Sequence, residues 1–256
     1  MRSTNIWHQF HLHGKKIIGI AVIILMGMMT TSAHAQKSKT YNLIKFDKRK
    51  LHYGFQLGLF RSSMKLTYSD FFLNDPDQTF VNVQVVPKGG FSIGFILNVA
   101  LPNEYLDFRF TPNVSFYERA ILFEPTTNPN PGQELPPMAT LSTETTVVEL
   151  PFLLKYKSQR RRNHRVYLVG GLIGGIQVGN KPAETDPDKQ FHLQDINVEV
   201  AVGLGMDLYM QMFNFAPELR FSHNVLSVYD PSDNIYAKNI EKLVPYKLAL
   251  IFNFEG

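Results

Sequence analysis

The sequence predicts an all-β fold, an eight-stranded antiparallel up-and-down transmembrane β-barrel of the outer-membrane type. Large apolar residues alternate with small or polar ones over segments of about ten residues. The gaps between segments alternate long and short, and the charges within segments keep to the less apolar face. The composition agrees: 256 residues, 44% hydrophobic and 19% charged, are too apolar for a disordered chain. The absence of Cys excludes a disulfide scaffold, a thiolate metal site and a Cys nucleophile.

The first element is a leader. Lys15-Lys16 precede an apolar run from Ile17 to Met29, and small residues follow up to Ala33-His34-Ala35. A positive start, a short apolar stretch and an A-x-A site are the parts of a secretory signal peptide over residues 1–35. A transmembrane helix would need about 20 apolar residues, more than this run offers. Cleavage before Gln36 removes Arg2, Lys15 and Lys16, leaving 23 basic against 22 acidic residues. The net charge of +4 therefore falls to +1, and a nucleic-acid role loses its electrostatic basis. Trp7, His8, His11 and His13 leave with the leader. Residues 36–50 read as a periplasmic lead and 51–256 as the barrel.

The clearest strands begin at Phe91, Leu106 and Ile196. From Phe91 one face reads Phe91, Ile93, Phe95, Leu97, Val99 and the other Ser92, Gly94, Ile96, Asn98, Ala100. The remaining segments are Leu51 to Phe60, Thr145 to Tyr156, Val166 to Val178, Phe213 to Phe221 and Tyr246 to Phe254. Their length matches the roughly 9 to 11 residues of a tilted membrane-crossing strand. Short connections at Pro102 to Glu104, 157–164 and Met210 to Met212 alternate with long ones at 61–90, 119–144, 179–194 and 222–245. Tight periplasmic turns and large outer loops produce that rhythm, and they place both termini in the periplasm. Pro125 to Pro137, with five prolines, is expected to be exposed and mobile.

Charge placement separates a lipid-facing barrel from a water-soluble sandwich, which would keep charge outside and oil between its sheets. Here Asp107, Arg109, Glu149, Lys155, Glu199, Asp207, Glu218, Arg220, Lys247 and Glu255 occupy the minor face. Glu144, near an outer end, is the main exception on the oily face. The minor face is therefore expected to line a lumen in which the charges pair, closed to free diffusion by its own side chains. Tyr53, Tyr156, Phe213 and Phe254 are expected in one interfacial girdle, and Phe91, Phe116 and Phe221 in the other.

Other motifs are weaker. Arg160, Arg161, Arg162 and Arg165 read as a solvated periplasmic turn, with anionic headgroups or a partner protein as candidate contacts. Gly170-Gly171 and Gly174-Gly175 lie inside a strand rather than before a helix, which argues for close packing and against a phosphate loop. Ser222-His223, with Asp230 and Asp233 following, is the nearest approach to a nucleophile and base, but adjacent residues rarely reach that geometry and no Gly-x-Ser-x-Gly elbow occurs. His52, His164, His192 and His223 lack ligand spacing. No catalytic residue, cofactor, metal, nucleic acid or small-molecule substrate is therefore expected.

Four stretches carry a resemblance: Lys50-Leu51-His52-Tyr53-Gly54-Phe55-Gln56-Leu57-Gly58-Leu59, Val148-Glu149-Leu150-Pro151-Phe152-Leu153-Leu154-Lys155-Tyr156, Gly203-Leu204-Gly205-Met206-Asp207-Leu208-Tyr209 and Phe215-Ala216-Pro217-Glu218-Leu219-Arg220-Phe221-Ser222. In this order they resemble the PorT family, outer-membrane barrels of Bacteroidetes associated with type IX secretion and gliding. The resemblance implies a non-enzymatic component of the machine that exports proteins with C-terminal sorting domains, with outer-membrane lipids and other secretion proteins as partners. It implies no catalytic or binding residues. The alternatives are a structural or adhesive surface barrel and, more weakly, a lipid-modifying enzyme.

Overall fold

The computed structural model describes residues 41–74, 79–126, 138–182, 196–228 and 236–256. The leader, the first part of the lead, and most of the Pro125 to Pro137 stretch lie outside the described residues. Among the described residues ten strands run in chain order: β1 (Leu51–Tyr68), β2 (Phe80–Val86), β3 (Lys88–Ala100), β4 (Leu106–Phe110), β5 (Asn113–Pro125), β6 (Ala139–Lys157), β7 (His164–Pro182), β8 (Ile196–Tyr209), β9 (Asn214–Asn224) and β10 (Ile240–Glu255). All pair antiparallel, and the β1–β10 and β1–β3 pairings close the ring.

Ten strands make eight staves because two staves are broken by proline, which has no N–H for the ladder. Pro87 separates β2 from β3, and both pair with β5, at Val86↔Ala120 and Gly90↔Tyr117. Thr111-Pro112 separates β4 from β5, and both pair with β6. The expected segment beginning at Leu106 is thus interrupted after Phe110, and the connection expected at 61–90 contains β2.

The lower part of each stave is oily outside. Along β1, Leu51, Tyr53, Phe55, Leu57 and Leu59 are exposed while His52, Gln56 and Gly58 point inward. Leu51 to Leu59, Val148 to Tyr156, Phe213 to Phe221 and Tyr246 to Phe254 are outward apolar stretches nine residues long, and with the exposed apolar residues of β3, β7 and β8 they form a belt around the ring. Phe91 stacks on Phe116 at 5.1 Å and Phe221 lies 6.4 Å from Tyr246 at its upper border. Phe213 and Phe254, 6.0 Å apart, stand with Tyr53 and Tyr156 at its lower border.

Above the belt the polarity inverts. Arg61 and Lys65 face outward on β1, as do Glu118 and Glu124 on β5 and Ser142 and Glu144 on β6. Met64, Ile121, Phe123, Leu141, Ile240 and Leu243 face inward and pack with Val83 into an apolar cluster. Phe123 and Leu243 are fully buried, each worth about 1.5–3 kcal/mol of burial. This half has the polarity of a soluble barrel, and it explains why β1, β6 and β7 reach 18 or 19 residues. The long connections are correspondingly shorter than the sequence pattern suggested. A short helix, α1 (Asp70–Leu73), follows β1 and is capped by Ser69, whose Oγ accepts from Phe72 N at 3.2 Å.

Candidate functional site

At the short-turn end, residues 41–48 bend back across the mouth of the ring. A turn at Leu43, with φ of 48°, leads into the 3-10 turn Phe46–Lys48. Phe46 is driven inward, stacking on His52 at 4.0 Å and meeting the Tyr209 ring edge-on. Asp47 beside it accepts hydrogen bonds from Arg160 at 2.9 Å, Arg165 at 3.1 Å and the Tyr209 hydroxyl at 3.3 Å. The Arg160 guanidinium also lies over the Tyr209 ring at 3.6 Å and donates to the Asn42 carbonyl.

The four arginines therefore part company. Arg161 and Arg162 are exposed on the turn. Arg160 is bound to the lead, and Arg165 is buried on the inward face of β7 because it shares the alternation of Tyr167 and Val169. The solvated turn expected of all four is seen at Arg161 and Arg162, while Arg160 and Arg165 are taken up by the lead and the lumen.

Above this mouth, seven basic and six acidic side chains are buried among the described residues. Lys155 donates to Asp207 at 2.7 Å, and Arg165 to the same carboxylate at 3.0 Å. Lys157 pairs with Asp107, which also accepts from Asn98 at 2.9 Å. At mid-height Arg109 bridges Glu218, at 3.3 Å, and Glu255. Glu218 accepts further bonds from Arg220 at 2.7 Å and Tyr167 at 3.0 Å. Higher still, Lys247 joins Glu149 and Glu199, the latter at 3.0 Å. In such a low-dielectric interior each charge is tolerable only while its partner stays.

The lumen is consequently shut. Space lined by Gln56, Ser115, Glu149, Arg220 and Lys247 measures only about 30 Å3, room for about one or two waters. Glycines make the close fit: a Cβ on Gly171 would lie 2.1 Å from the Phe152 carbonyl oxygen, and one on Gly175 would lie 1.7 Å from Asn197 Oδ1. Gly174 has open space around it, so the close-packing account applies to some of these glycines and not all.

Ser222 and His223 face opposite sides of β9, the serine buried in the lumen and the histidine exposed. Neighbouring strand residues cannot share a proton from opposite faces. Asp230, Asp233 and His192 lie outside the described residues. Among the described residues no group of three His, Asp or Glu could hold a metal.

A sequence profile of the outer membrane protein beta-barrel domain matches residues 34–230. The chain belongs to that family. Against curated protein sequences it has no significant match. Similar solved structures include Neisserial surface protein A (11% identical, covering 79% of this chain and 96% of that one, TM-score 0.40). OprG from Pseudomonas aeruginosa is 14% identical over 80% of this chain and 94% of that one, with a TM-score of 0.43. Ail of Yersinia pestis, crystallised with the heparin analogue sucrose octasulfate, is 9% identical over 81% and 100%, with a TM-score of 0.35. The family and the apolar belt together make this an outer-membrane barrel that crosses the bilayer on that belt, with a network of paired charges inside.

Side chains missing from the sequence-level site are Asp47, Lys157, Tyr167 and Tyr209. Lys157 and the two tyrosines stand on the inward alternation of their strands and were readable from it. Asp47 precedes the first strand, where no period marks a face.

Proposed function

We propose that this outer-membrane barrel is a non-enzymatic component of the type IX protein secretion system, working through the surfaces at its two ends. The observation that carries a surface role is the lumen filled with paired charges, which leaves no passage for solute. The resemblance to the PorT family in the four stretches quoted above supports the secretion assignment. In this reading the short-turn end, with both termini, faces the periplasm, because outer-membrane barrels keep their turns short there and their loops long outside.

Deleting the gene tests the reading. Proteins with C-terminal sorting domains should then fail to reach the cell surface; normal display of that cargo would overturn it. One observation favours a second reading, a structural or adhesive surface barrel: the upper staves rise above the belt as a folded, polar rim. In that case deletion would leave secretion intact and alter surface attachment instead.

A further inference from the structure

We infer that the mouth at the short-turn end is a docking site for an acidic, extended polypeptide segment of another protein. A cleft of about 730 Å3 opens there between the lead at Lys48 to Lys50, the turn at Pro102 to Tyr105 and the turn at Gln159-Arg160. That is the size of a ligand site, with room for a few residues of extended chain. The lumen above it is filled by its own side chains, so whatever enters stops there.

The charge in the cleft is unevenly committed. Arg160 and Arg165 share Asp47, and Lys157 pairs with Asp107. Lys48, Arg49 and Lys50 are exposed, and their side chains form no hydrogen bond or ion pair among the described residues. Glu104 is the acidic lining residue left to oppose them. Three adjacent cations facing one carboxylate create a positive potential in a concave, partly desolvated space, which attracts a row of carboxylates and raises their association rate.

Direction decides between a protein and a lipid. Lys157 and Arg165, which also line the cleft, sit on the inward faces of β6 and β7, so part of its wall is the inside of the ring rather than the lipid-facing surface. Lipid headgroups would lie outside the ring, level with Tyr53 and Tyr156. The proposal rests on the orientation given above only in placing the partner in the periplasm.

Full-length protein in phosphatidylcholine nanodiscs, which leave both ends open, tests the site. Fluorescence anisotropy would follow a labelled eight-residue peptide of alternating Glu and apolar residues, with a Lys-for-Glu peptide as control. The acidic peptide should bind, and weaken on raising the salt. The triple variant K48S/R49S/K50S should weaken it at least tenfold, and Glu104→Lys should tighten it several-fold. Heat-modifiable gel migration shows that both variants fold. Equal peptide binding by wild type and triple variant, or no binding at all, would overturn the proposal. So would a triple variant that binds the peptide as wild type does and, in parallel nanodiscs containing phosphatidylglycerol, loses only retention of that lipid, which would make a headgroup the ligand. Orientation is read separately, by labelling Lys48→Cys in intact cells with an impermeant maleimide. Labelling from outside would overturn the periplasmic placement even where the peptide binds.

Discussion

Arg165 holds two carboxylates at once, Asp207 inside the ring at 3.0 Å and Asp47 in the lead at 3.1 Å. One buried guanidinium thereby ties the lead, 118 residues away in sequence, to the charge network of the lumen.

Removing the lead's half of this tie tests its strength. Asp47→Ala should loosen residues 41–50 by about 1 kcal/mol, because the carboxylate is partly exposed and screened. That is roughly a fivefold rise in the open population. Trypsin should cut after Lys48, Arg49 or Lys50 correspondingly faster, with the barrel itself intact.

Deeper pairs should matter more. Arg109→Leu leaves Glu255 and Glu218 short of their shared cation and should cost about 3–5 kcal/mol in urea unfolding from lipid vesicles. Arg220→Leu should cost less, since Glu218 keeps Arg109 and Tyr167. A larger loss at Arg220 would contradict the network as drawn.

Height along the staves sets the response of the outer face. Leu204 is exposed within the belt, and Leu204→Arg should cost about 2–4 kcal/mol if it lies near the bilayer midplane. Ser63→Arg, outward on β1 above Leu59, should fall within about 0.5 kcal/mol of neutral. Equal tolerance at both sites would displace the belt.

Gly171→Ala should destabilise by about 1–3 kcal/mol, because its Cβ would meet the Phe152 backbone, which cannot move aside. Gly174→Ala, three residues on and unobstructed, should be tolerated in the same unfolding assay.

The belt was legible in the sequence because lipid and lumen impose opposite demands on alternate residues, so the pattern at Phe91 to Val99 has one meaning. The upper rim was not. There the period of two continues, but Met64 and Leu141 have turned inward while Lys65 and Ser142 face water, and a search for outward oil reads such a stretch as loop. The break at Thr111-Pro112 was hidden because alternation survives it, although Pro112 should have raised the question. The charged set was visible by face alone, but the partners were not. Arg109 and Glu255 are 146 residues apart, and only closure of the ring brings them together.

The switch of polarity partway up each stave also fixes the molecule's vertical seat. Sinking by one dipeptide would drag Arg61, Glu118 and Glu144 into hydrocarbon, and rising by as much would lift Leu59 and Phe221 into water. Either displacement is opposed around the circumference at once, so the protein keeps its own waterline, and a membrane of different thickness must thin or thicken to meet it.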